Sequence, residues 1–219
     1  MLGLLERVDY RRAETPEDRE AIYRLRYAAY LREGAIPPNT AQTFCDSLDE
    51  SDNVWIFGVH IDGRLASSIR LHVATRARPT LPALNVFADM LGPEIEGGRT
   101  IIDPTRFVAD RELSRRHPEL CYVTTRLAWM ASEHFSANLL LATVRTEHQA
   151  FYARVFGHRP LCPARHYPSL TKPISLMALD YPTRKNVVNQ RHPFFRSTYF
   201  ERRMLFARGA EQAAVRTAA

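Results

Sequence analysis

The segment at residues 101–108 places an acid, a hydroxyl and an arginine inside an apolar run that has the composition of a buried strand. In an extended chain, Asp103 and Thr105 would share one face of the strand and Arg106 would point to the other. Pro104 cannot donate a ladder hydrogen bond, which predicts a sheet edge, a bulge or a point where neighbouring strands separate. Because such a gap is a natural slot for a ligand, the segment predicts a site within a sheet.

The composition narrows the class of protein. With 219 residues, 45% of them hydrophobic and 25% charged, the chain fits a globular protein built around one full core. No apolar run approaches the roughly 20 residues that span a bilayer, and the N-terminal segment lacks the order of a secretion signal. We therefore expect a cytoplasmic protein without stable membrane insertion.

The cysteines bear on disulfide and metal sites, whereas the cationic residues bear on the charge of possible partners. Cys45, Cys121 and Cys162 are widely spaced and form no CxxC motif, so the sequence predicts neither a disulfide framework nor a metal site. The formal charge is +6, and Lys172 and Lys185 are the only lysines among the cations. Arginine binds phosphate and carboxylate through a planar fork, which favours an acidic or phosphorylated partner. A merely solvated basic surface explains the same count equally well.

The hydrophobic pattern and the turn residues predict an α/β (α+β) order. Asp62-Gly63 marks a β-hairpin, and a long loop at 35–53 carries Asp46 and Asp49. A loop rich in proline and alanine leads to the strand that contains Asp103. The predicted elements are a helix at 16–33, strands at 54–61 and 64–73, the strand at 101–108, a helix at 118–135, a strand at 139–144, a helix at 148–156 and a strand at 174–179.

The chain ends in a segment without strand signals. We predict one domain at 1–182 and a C-terminal helical extension at 183–219, whose Ala-rich tail is frayed at its tip.

Several motifs carry a family resemblance in their order and spacing. They are Tyr23-Arg24-Leu25-Arg26-Tyr27 in the first helix, Asp46 and Asp49 in the loop, Ile69-Arg70-Leu71 on the hairpin, and Asp103-Pro104-Thr105-Arg106-Phe107 on the later strand. Over residues 16–180 this set resembles the acyl-homoserine-lactone synthases and N-acyl amino acid synthases of the GNAT acyltransferase superfamily. The resemblance implies a GNAT-like acyl-CoA N-acyltransferase fold, with a central mixed, mostly antiparallel, twisted sheet flanked by helices. Residues 148–157 resemble the late GNAT helix in which a tyrosine, here Tyr152, approaches the donor thioester.

The chain also departs from the lactone synthases. Asp103 and Thr105 stand where those enzymes usually have glutamate and serine, and Ile36 with its prolines stands where they have tryptophan. The sequence around 159–167 and the C-terminal segment look closer to the N-acyl amino acid synthases. The glycine-rich pyrophosphate loop of GNAT enzymes is absent after Val108, so a donor other than coenzyme A is favoured. In this branch the resemblance implies an acyl-phosphopantetheine on acyl carrier protein as donor substrate, with no tightly bound cofactor.

Aminolysis of a thioester needs a base for the amine and an acid for the departing thiolate. Asp103 is the candidate base, if partial burial raises its pKa, and Tyr152 is the candidate acid. The alternatives are that Asp103 is a structural carboxylate paired with Arg70 or Arg26 and that Tyr152 only packs.

The resemblance implies that further residues shape the acceptor pocket. They are Arg26, Asp46, Asp49 and Arg70, which join the long loop to the core, and Thr105 and Arg106 on the strand. Asp46 and Asp49 can equally cap a turn, and Thr105 can simply pack as a strand former. Arg106 can form a salt bridge or meet the carboxylate of the acceptor.

Two further groups of residues are predicted to contact the acyl donor. Arg111, Arg115 and Arg116 are predicted at the entrance of the helix that begins near Pro118, where they would receive the phosphopantetheine phosphate and the acidic face of the carrier. A solvated charge run is the alternative. The predicted walls of the acyl cavity are Trp129, Met130 and Leu141, which ordinary core packing would also explain.

These features favour an N-acyltransferase that moves a medium or long fatty acyl group from acyl carrier protein to the amine of an amino acid. The rivals are an acyl-homoserine-lactone autoinducer synthase that uses S-adenosylmethionine and a coenzyme A-dependent acetyltransferase. A nucleic-acid-binding module would fit the basic charge, but the sequence has no helix-turn-helix, zinc or RNP signature, so we expect no nucleic acid partner.

Overall fold

The Asp62-Gly63 turn joins two long strands in the computed structural model of the chain, which describes residues 2–168 and 170–208. Asp62 and Gly63 have φ angles of 50° and 78°, as a type I′ turn requires. The predicted hairpin is therefore confirmed, and the predicted frayed tail lies outside the described residues.

The structure describes seven strands and eight α-helices. The strands are β1 (Val8–Arg12), β2 (Val54–Ile61), β3 (Arg64–Ala74), β4 (Ile101–Ala109), β5 (Leu139–Val144), β6 (Arg159–Pro160) and β7 (Ser175–Asp180). The α-helices are α1 (Leu2–Leu5), α2 (Pro16–Arg32), α3 (Leu84–Glu96), α4 (Arg111–Arg116), α5 (Leu120–His134), α6 (Gln149–Val155), α7 (Tyr181–Arg191) and α8 (Tyr199–Phe206).

All seven described strands belong to one sheet, in the order β1-β2-β3-β4-β5-β7-β6. Every neighbouring pair is antiparallel except β4 and β5, which are parallel. The predicted mixed, mostly antiparallel sheet is confirmed. None of the described helices is long and apolar enough to cross a membrane.

The parallel strands β4 and β5 are paired over only two residues and then diverge. Only Ile101 with Leu139 and Ile102 with Leu140 are paired, and from Asp103 onward the two strands have no shared register. Pro104, which has no N–H to donate, stands just beyond this point. The predicted gap between neighbouring strands is therefore present, and it lies directly beside Asp103.

The other edge of β4 contains a β-bulge. The register between β3 and β4 shifts between Ser68 and Arg70, and Arg106 has a φ of 53°. The extra residue changes which way the following side chains point. Arg106 therefore reaches the same carboxylate as Arg70, that of Asp46, and the prediction that simple alternation turns Arg106 away was wrong.

Two layers of helices cover the sheet. We call the side covered by α2 and α3 the α2 face and the side covered by α5 the α5 face. On the α2 face, Ile22 packs on Val54 and Ile56, and a second cluster joins α3 to β4 and β5. On the α5 face, Leu127 and Trp129 pack in the largest cluster, which also includes side chains of β2 to β5.

Several elements differ from the sequence prediction. The segment expected to be a Pro/Ala-rich loop contains α3, whose Pro93 lies in its last turn and whose Phe87 has non-helical angles. The short edge strand β1 was not predicted at all. The helix expected from Pro118 begins at Leu120, and α4 precedes it as a separate helix.

The C-terminal segment is helical and packs on the α5 face. Val188, Phe195 and Phe206 belong to the same cluster as Trp129. Helix α7 spans residue 182, and the division into parts at 1–182 and 183–219 stays a prediction.

Arg126 of α5 holds this segment in place. Its guanidinium donates to the carbonyl oxygens of Phe194 at 2.7 Å and Arg196 at 2.8 Å, and it binds both carboxylate oxygens of Glu201 at 2.5 and 3.0 Å. The side chain of Arg126 is only 8% exposed, and its partners are partly buried, so these hydrogen bonds are shielded in part from water.

We expect Arg126→Met to lower the free energy of unfolding by about 1–3 kcal/mol, because it removes the charge-assisted hydrogen bonds to these partly buried acceptors. The control Arg24→Met removes an exposed ion pair with Glu20 and should cost less than about 1 kcal/mol. Urea denaturation of both variants measures the difference. Equal losses would contradict the anchoring role of Arg126.

Candidate active site

A cavity of about 530 Å³ lies where β4 and β5 separate. It reaches both faces of the sheet, because its lining includes Tyr30 and Arg32 of α2 as well as Cys121 of α5 and Phe151 and Tyr152 of α6. A ligand in this cavity would therefore pass through the sheet rather than lie on one side of it.

The carboxylate of Asp103 lies beside the cavity and is fully buried. Its Oδ2 accepts a hydrogen bond from the N–H of Ala83 at 3.1 Å, and its Oδ1 accepts one from the Thr143 hydroxyl at 3.4 Å. Burial raises the pKa of Asp103 to about 6, although the Ala83 N–H and the charge of Arg70 oppose this shift. Among the described residues no cation lies within salt-bridge distance of Asp103.

Thr143 connects Asp103 to the cavity and was missed by the sequence analysis. Asp103 does not line the cavity, whereas Thr143 does. Leu139, Leu141 and Thr143 alternate along β5 onto the α2 face, so the hydroxyl stands across the gap from Asp103. In the sequence, Thr143 could have been noticed as the polar residue that ends this alternating set of apolar side chains. A proton from the cavity can reach Asp103 through this hydroxyl.

The predicted polar cluster forms and ties the long loop to the sheet. Arg26 binds Asp49 at 2.8 Å, and Arg70 binds both Asp46 at 2.6 Å and Asp49 at 3.1 Å. Arg106 binds the other oxygen of Asp46 at 2.6 Å. Burial acts to raise the pKa of Asp46, but the hydrogen bonds and charges of the two arginines outweigh it and hold the pKa at about 2.

The same aspartates also cap a turn. Asp46 accepts a hydrogen bond from the N–H of Leu48, and Asp49 accepts one from the N–H of Asp46, each at 3.0 Å. These bonds begin the 3₁₀-helix Ser47–Glu50. Both interpretations of Asp46 and Asp49 therefore hold. The two side chains cap a turn within the loop, and their ion pairs with the arginines attach the loop to the sheet.

Most of the cluster stands behind the cavity rather than in it. Of the six residues assigned to the acceptor pocket, only Thr105 and Arg106 line the cavity. The Thr105 hydroxyl accepts a hydrogen bond from Arg70 Nε at 3.0 Å, so its own hydrogen can be donated to a ligand. The guanidinium of Arg106 lies 4.4 Å from the ring centre of Phe44, which holds it in place.

Tyr152 lines the cavity on the α5 face. Its hydroxyl has no hydrogen-bond partner among the described residues, and its ring contacts Phe151 and Phe156. Burial raises the pKa of Tyr152, so the hydroxyl stays protonated at neutral pH. It meets the chemical requirement for an acid that protonates a thiolate.

The predicted acyl walls were placed wrongly. Trp129, Met130 and Leu141 are buried in the core and do not line the cavity. The apolar lining comes instead from Phe107 and Val144, which follow the gap on β4 and β5, and from Phe151.

The predicted position of the arginine group was also wrong. Arg111, Arg115 and Arg116 belong to α4, so Arg115 and Arg116 lie in the last turn of that helix rather than at the start of α5. They line a shallow depression, and Ser114 of the same helix lines the cavity. The arginines therefore stand beside the α5-face end of the cavity.

The N-terminus of α4 already holds an anionic group. The carboxylate of Asp110 accepts hydrogen bonds from the N–H groups of Glu112 at 3.1 Å and Leu113 at 2.9 Å. A pyrophosphate at this position would meet a negative charge in place of free N–H donors.

Comparisons with known proteins agree with this geometry. The family model "FeeM: N-acyl amino acid synthase FeeM" matches residues 21–180. The chain belongs to the FeeM family of N-acyl amino acid synthases. No curated protein sequence matches it significantly.

Solved structures with the same fold come from the same group of enzymes. FeeM, "an N-acyl amino acid synthase from uncultured soil microbes", has a TM-score of 0.70 at 18% identity, covering 84% of this chain and 98% of that one. The acyl-homoserine-lactone synthase LasI has a TM-score of 0.60 at 15% identity, covering 78% and 88%. The coenzyme A-dependent lactone synthase BjaI, with S-adenosylmethionine and isopentyl-CoA, has a TM-score of 0.59 at 15% identity, covering 84% and 88%. The GNAT-like fold and the predicted family are confirmed, and the protein is an acyltransferase.

The raised pKa of Asp103 predicts opposite effects on stability and activity. Between about pH 4 and 6 the folded state binds more protons at Asp103 than the unfolded state, so its contribution to stability falls as pH rises through this window. Asp103→Asn removes that cost and should raise the free energy of unfolding at pH 8 by about 3 kcal/mol, with a smaller gain at pH 5. It should also abolish acyl transfer, whose rate in the wild type should rise with pH to a plateau above about 6.

Denaturation at both pH values, with the exposed Asp9→Asn as control, measures the stability effect. A variant less stable than wild type at both pH values would show that Asp103 is an ordinary structural carboxylate.

The lowered pKa of Asp46 predicts that its contribution to stability depends on pH in the opposite direction. Because its folded pKa lies below the usual value of 3.8, its contribution to stability is present above about pH 4 and is lost as pH falls towards 2. Asp46→Asn should cost about 2–3 kcal/mol at pH 7, since it leaves Arg70 and Arg106 without a shared carboxylate. It should also speed proteolytic cleavage in the loop at 35–53. The exposed control Glu20→Gln should do neither, and cleavage at equal rates in the two variants would contradict the role of Asp46.

Proposed function

We propose that the protein transfers a medium or long fatty acyl group from acyl carrier protein to the amine of an amino acid. One observation carries this proposal. The candidate base and the candidate acid lie on opposite faces of the sheet. Thr143, which donates a hydrogen bond to Asp103, lines the cavity on the α2 face, and Tyr152 lines the same cavity on the α5 face. The amine and the thioester would then enter from opposite sides and meet in the gap.

The reaction follows from this arrangement. The lone pair of the amine attacks the thioester carbon, and the proton lost from nitrogen passes through Thr143 or a water molecule to Asp103. The oxyanion accepts a hydrogen bond from Thr105. When the carbon–sulfur bond breaks, Tyr152 donates its proton to the thiolate. The proton held by Asp103 returns to solvent and Tyr152 is reprotonated, so the products are an amide and a free thiol.

The donor side of the cavity favours a carrier-bound acyl group. The apolar side chains of Phe107, Val144 and Phe151 offer space for an alkyl chain. Asp110 stands where the pyrophosphate of coenzyme A would seek helix N–H donors. The three arginines of α4 beside the cavity offer partners for a phosphopantetheine phosphate and for the acidic surface of a carrier protein.

Mass spectrometry of products tests the proposal. Purified protein is incubated with acyl carrier proteins of several chain lengths, with the matching coenzyme A thioesters, and with a mixed amino-acid pool, in the presence or absence of S-adenosylmethionine. We expect N-acyl amino acids from the carrier-bound donors, loss of product in Asp103→Asn, and full activity in the control Asp9→Asn.

Other outcomes would reject defined parts of the proposal. Methylthioadenosine and an acyl lactone would identify a lactone synthase. Faster transfer from coenzyme A thioesters would contradict the carrier donor. The absence of any acylated product would contradict the reaction itself.

A further inference from the structure

Four cationic side chains line the cavity among the described residues, and two of them already bind carboxylates. Arg106 binds Asp46, and Arg145 lies 2.6 Å from Glu33 and 3.3 Å from Glu147. The remaining two, Arg32 and Lys172, are exposed and have no carboxylate within salt-bridge distance in the described part of the chain. They are therefore the cations available to an incoming anion.

Arg32 and Lys172 belong to one opening of the cavity. We call this the α2-side opening, lined by Arg32, Glu33, Arg145, Thr171 and Lys172. The Thr171 hydroxyl donates to the carbonyl of Gly34 at 3.1 Å, and the Arg145–Glu33 pair spans the same region. These contacts hold the segment that carries Lys172 against the end of α2 that carries Arg32.

The charge at the α2-side opening is net positive. Glu33 and Glu147 both form ion pairs with Arg145, and the charge of Lys172 also acts on Glu147. The three cations still outnumber the two acids by one charge, and neither Arg32 nor Lys172 has a carboxylate within salt-bridge distance in the described part of the chain. A small carboxylate entering here would gain a charge-assisted hydrogen bond without displacing an existing ion pair.

The position of the α2-side opening indicates which substrate would enter through it. It lies at the end of α2, on the face of the sheet that carries Asp103 and Thr143 and so receives the amine. The arginines of α4, which suit a phosphate, stand at the other end of the cavity. An anion bound by Lys172 therefore arrives together with the amine.

We propose that Lys172, with Arg32 beside it, binds the carboxylate of the acceptor amino acid and so selects amino acids over simple amines. This inference rests on the proposed function, because it needs the amine to enter from the α2 face. It moves carboxylate recognition away from Arg106, whose guanidinium is already held by Asp46.

Steady-state kinetics with matched acceptors and matched variants tests the proposal. The chain has two lysines, and Lys185 pairs with Glu133 on α5, so Lys185→Ala is the control for Lys172→Ala. The acceptors are an amino acid that the wild type uses and the same amino acid with its carboxylate converted to a carboxamide. The KM is measured for each acceptor and for the acyl donor.

We expect Lys172→Ala to raise the KM for the amino acid roughly 10- to 100-fold, as for the loss of one charge-assisted hydrogen bond. Its KM for the carboxamide and for the acyl donor should match the wild type, kcat should change little, and Lys172→Arg should restore most of the affinity. Arg32→Ala should raise the same KM by a smaller factor.

Three results would overturn the inference. Lys172→Ala could behave like Lys185→Ala, it could weaken the carboxamide as much as the amino acid, or it could raise the KM for the acyl donor alone, which would assign the anion to phosphopantetheine. In each case a wild-type enzyme that acylates amino acids leaves the proposed function standing. Failure of the wild type to acylate any amino acid would overturn the proposed function and this inference together.

Discussion

The separation of β4 from β5 after two residue pairs is the constraint on which the rest of the structure depends. A continuous sheet would leave no passage between its faces, and a cavity on one face alone would bring both substrates in from one side. The parallel pairing of Ile101 and Ile102 brings Asp103 to the point where the strands part. Pro104 then occupies a position that requires no ladder hydrogen bond. The cavity and the positions of the candidate base and the candidate acid all follow from this break.

Two aspartates show how the surroundings set chemical roles. Asp46 shares its oxygens between Arg70 and Arg106, and its pKa is held at about 2, so it acts as a permanent anion that fixes the loop. Asp103 is buried with hydrogen bonds from Ala83 and Thr143 but without an ion pair, and its pKa rises to about 6. The arginines thus stabilise one carboxylate and leave the other able to exchange a proton near neutral pH.

Local signals were enough for much of the fold, and tertiary contacts decided the rest. The hairpin, α2 and the aspartates of the loop could be predicted because turn residues, caps and apolar periodicity act over a few residues. The side on which Arg106 lies could not, because a bulge against β3 overrides simple alternation. Helix α3 was not predicted because proline usually interrupts a helix, whereas Pro93 lies within the last turn of α3. The hydrogen bond from Thr143 to Asp103 depends on β5 lying across the gap from β4, and no local sequence pattern specifies that arrangement.

In the proposed reaction, donor and acceptor meet in the gap from opposite faces of the sheet. A crystal structure with an amino acid and a non-cleavable thioether analogue of the acylated phosphopantetheine arm would locate both ligands. We expect the sulfur atom near Tyr152 and Cys121 on the α5 face, the acyl carbon between β4 and β5, and the amine beside Thr143 on the α2 face. Both ligands bound on the same face of the sheet would contradict this arrangement.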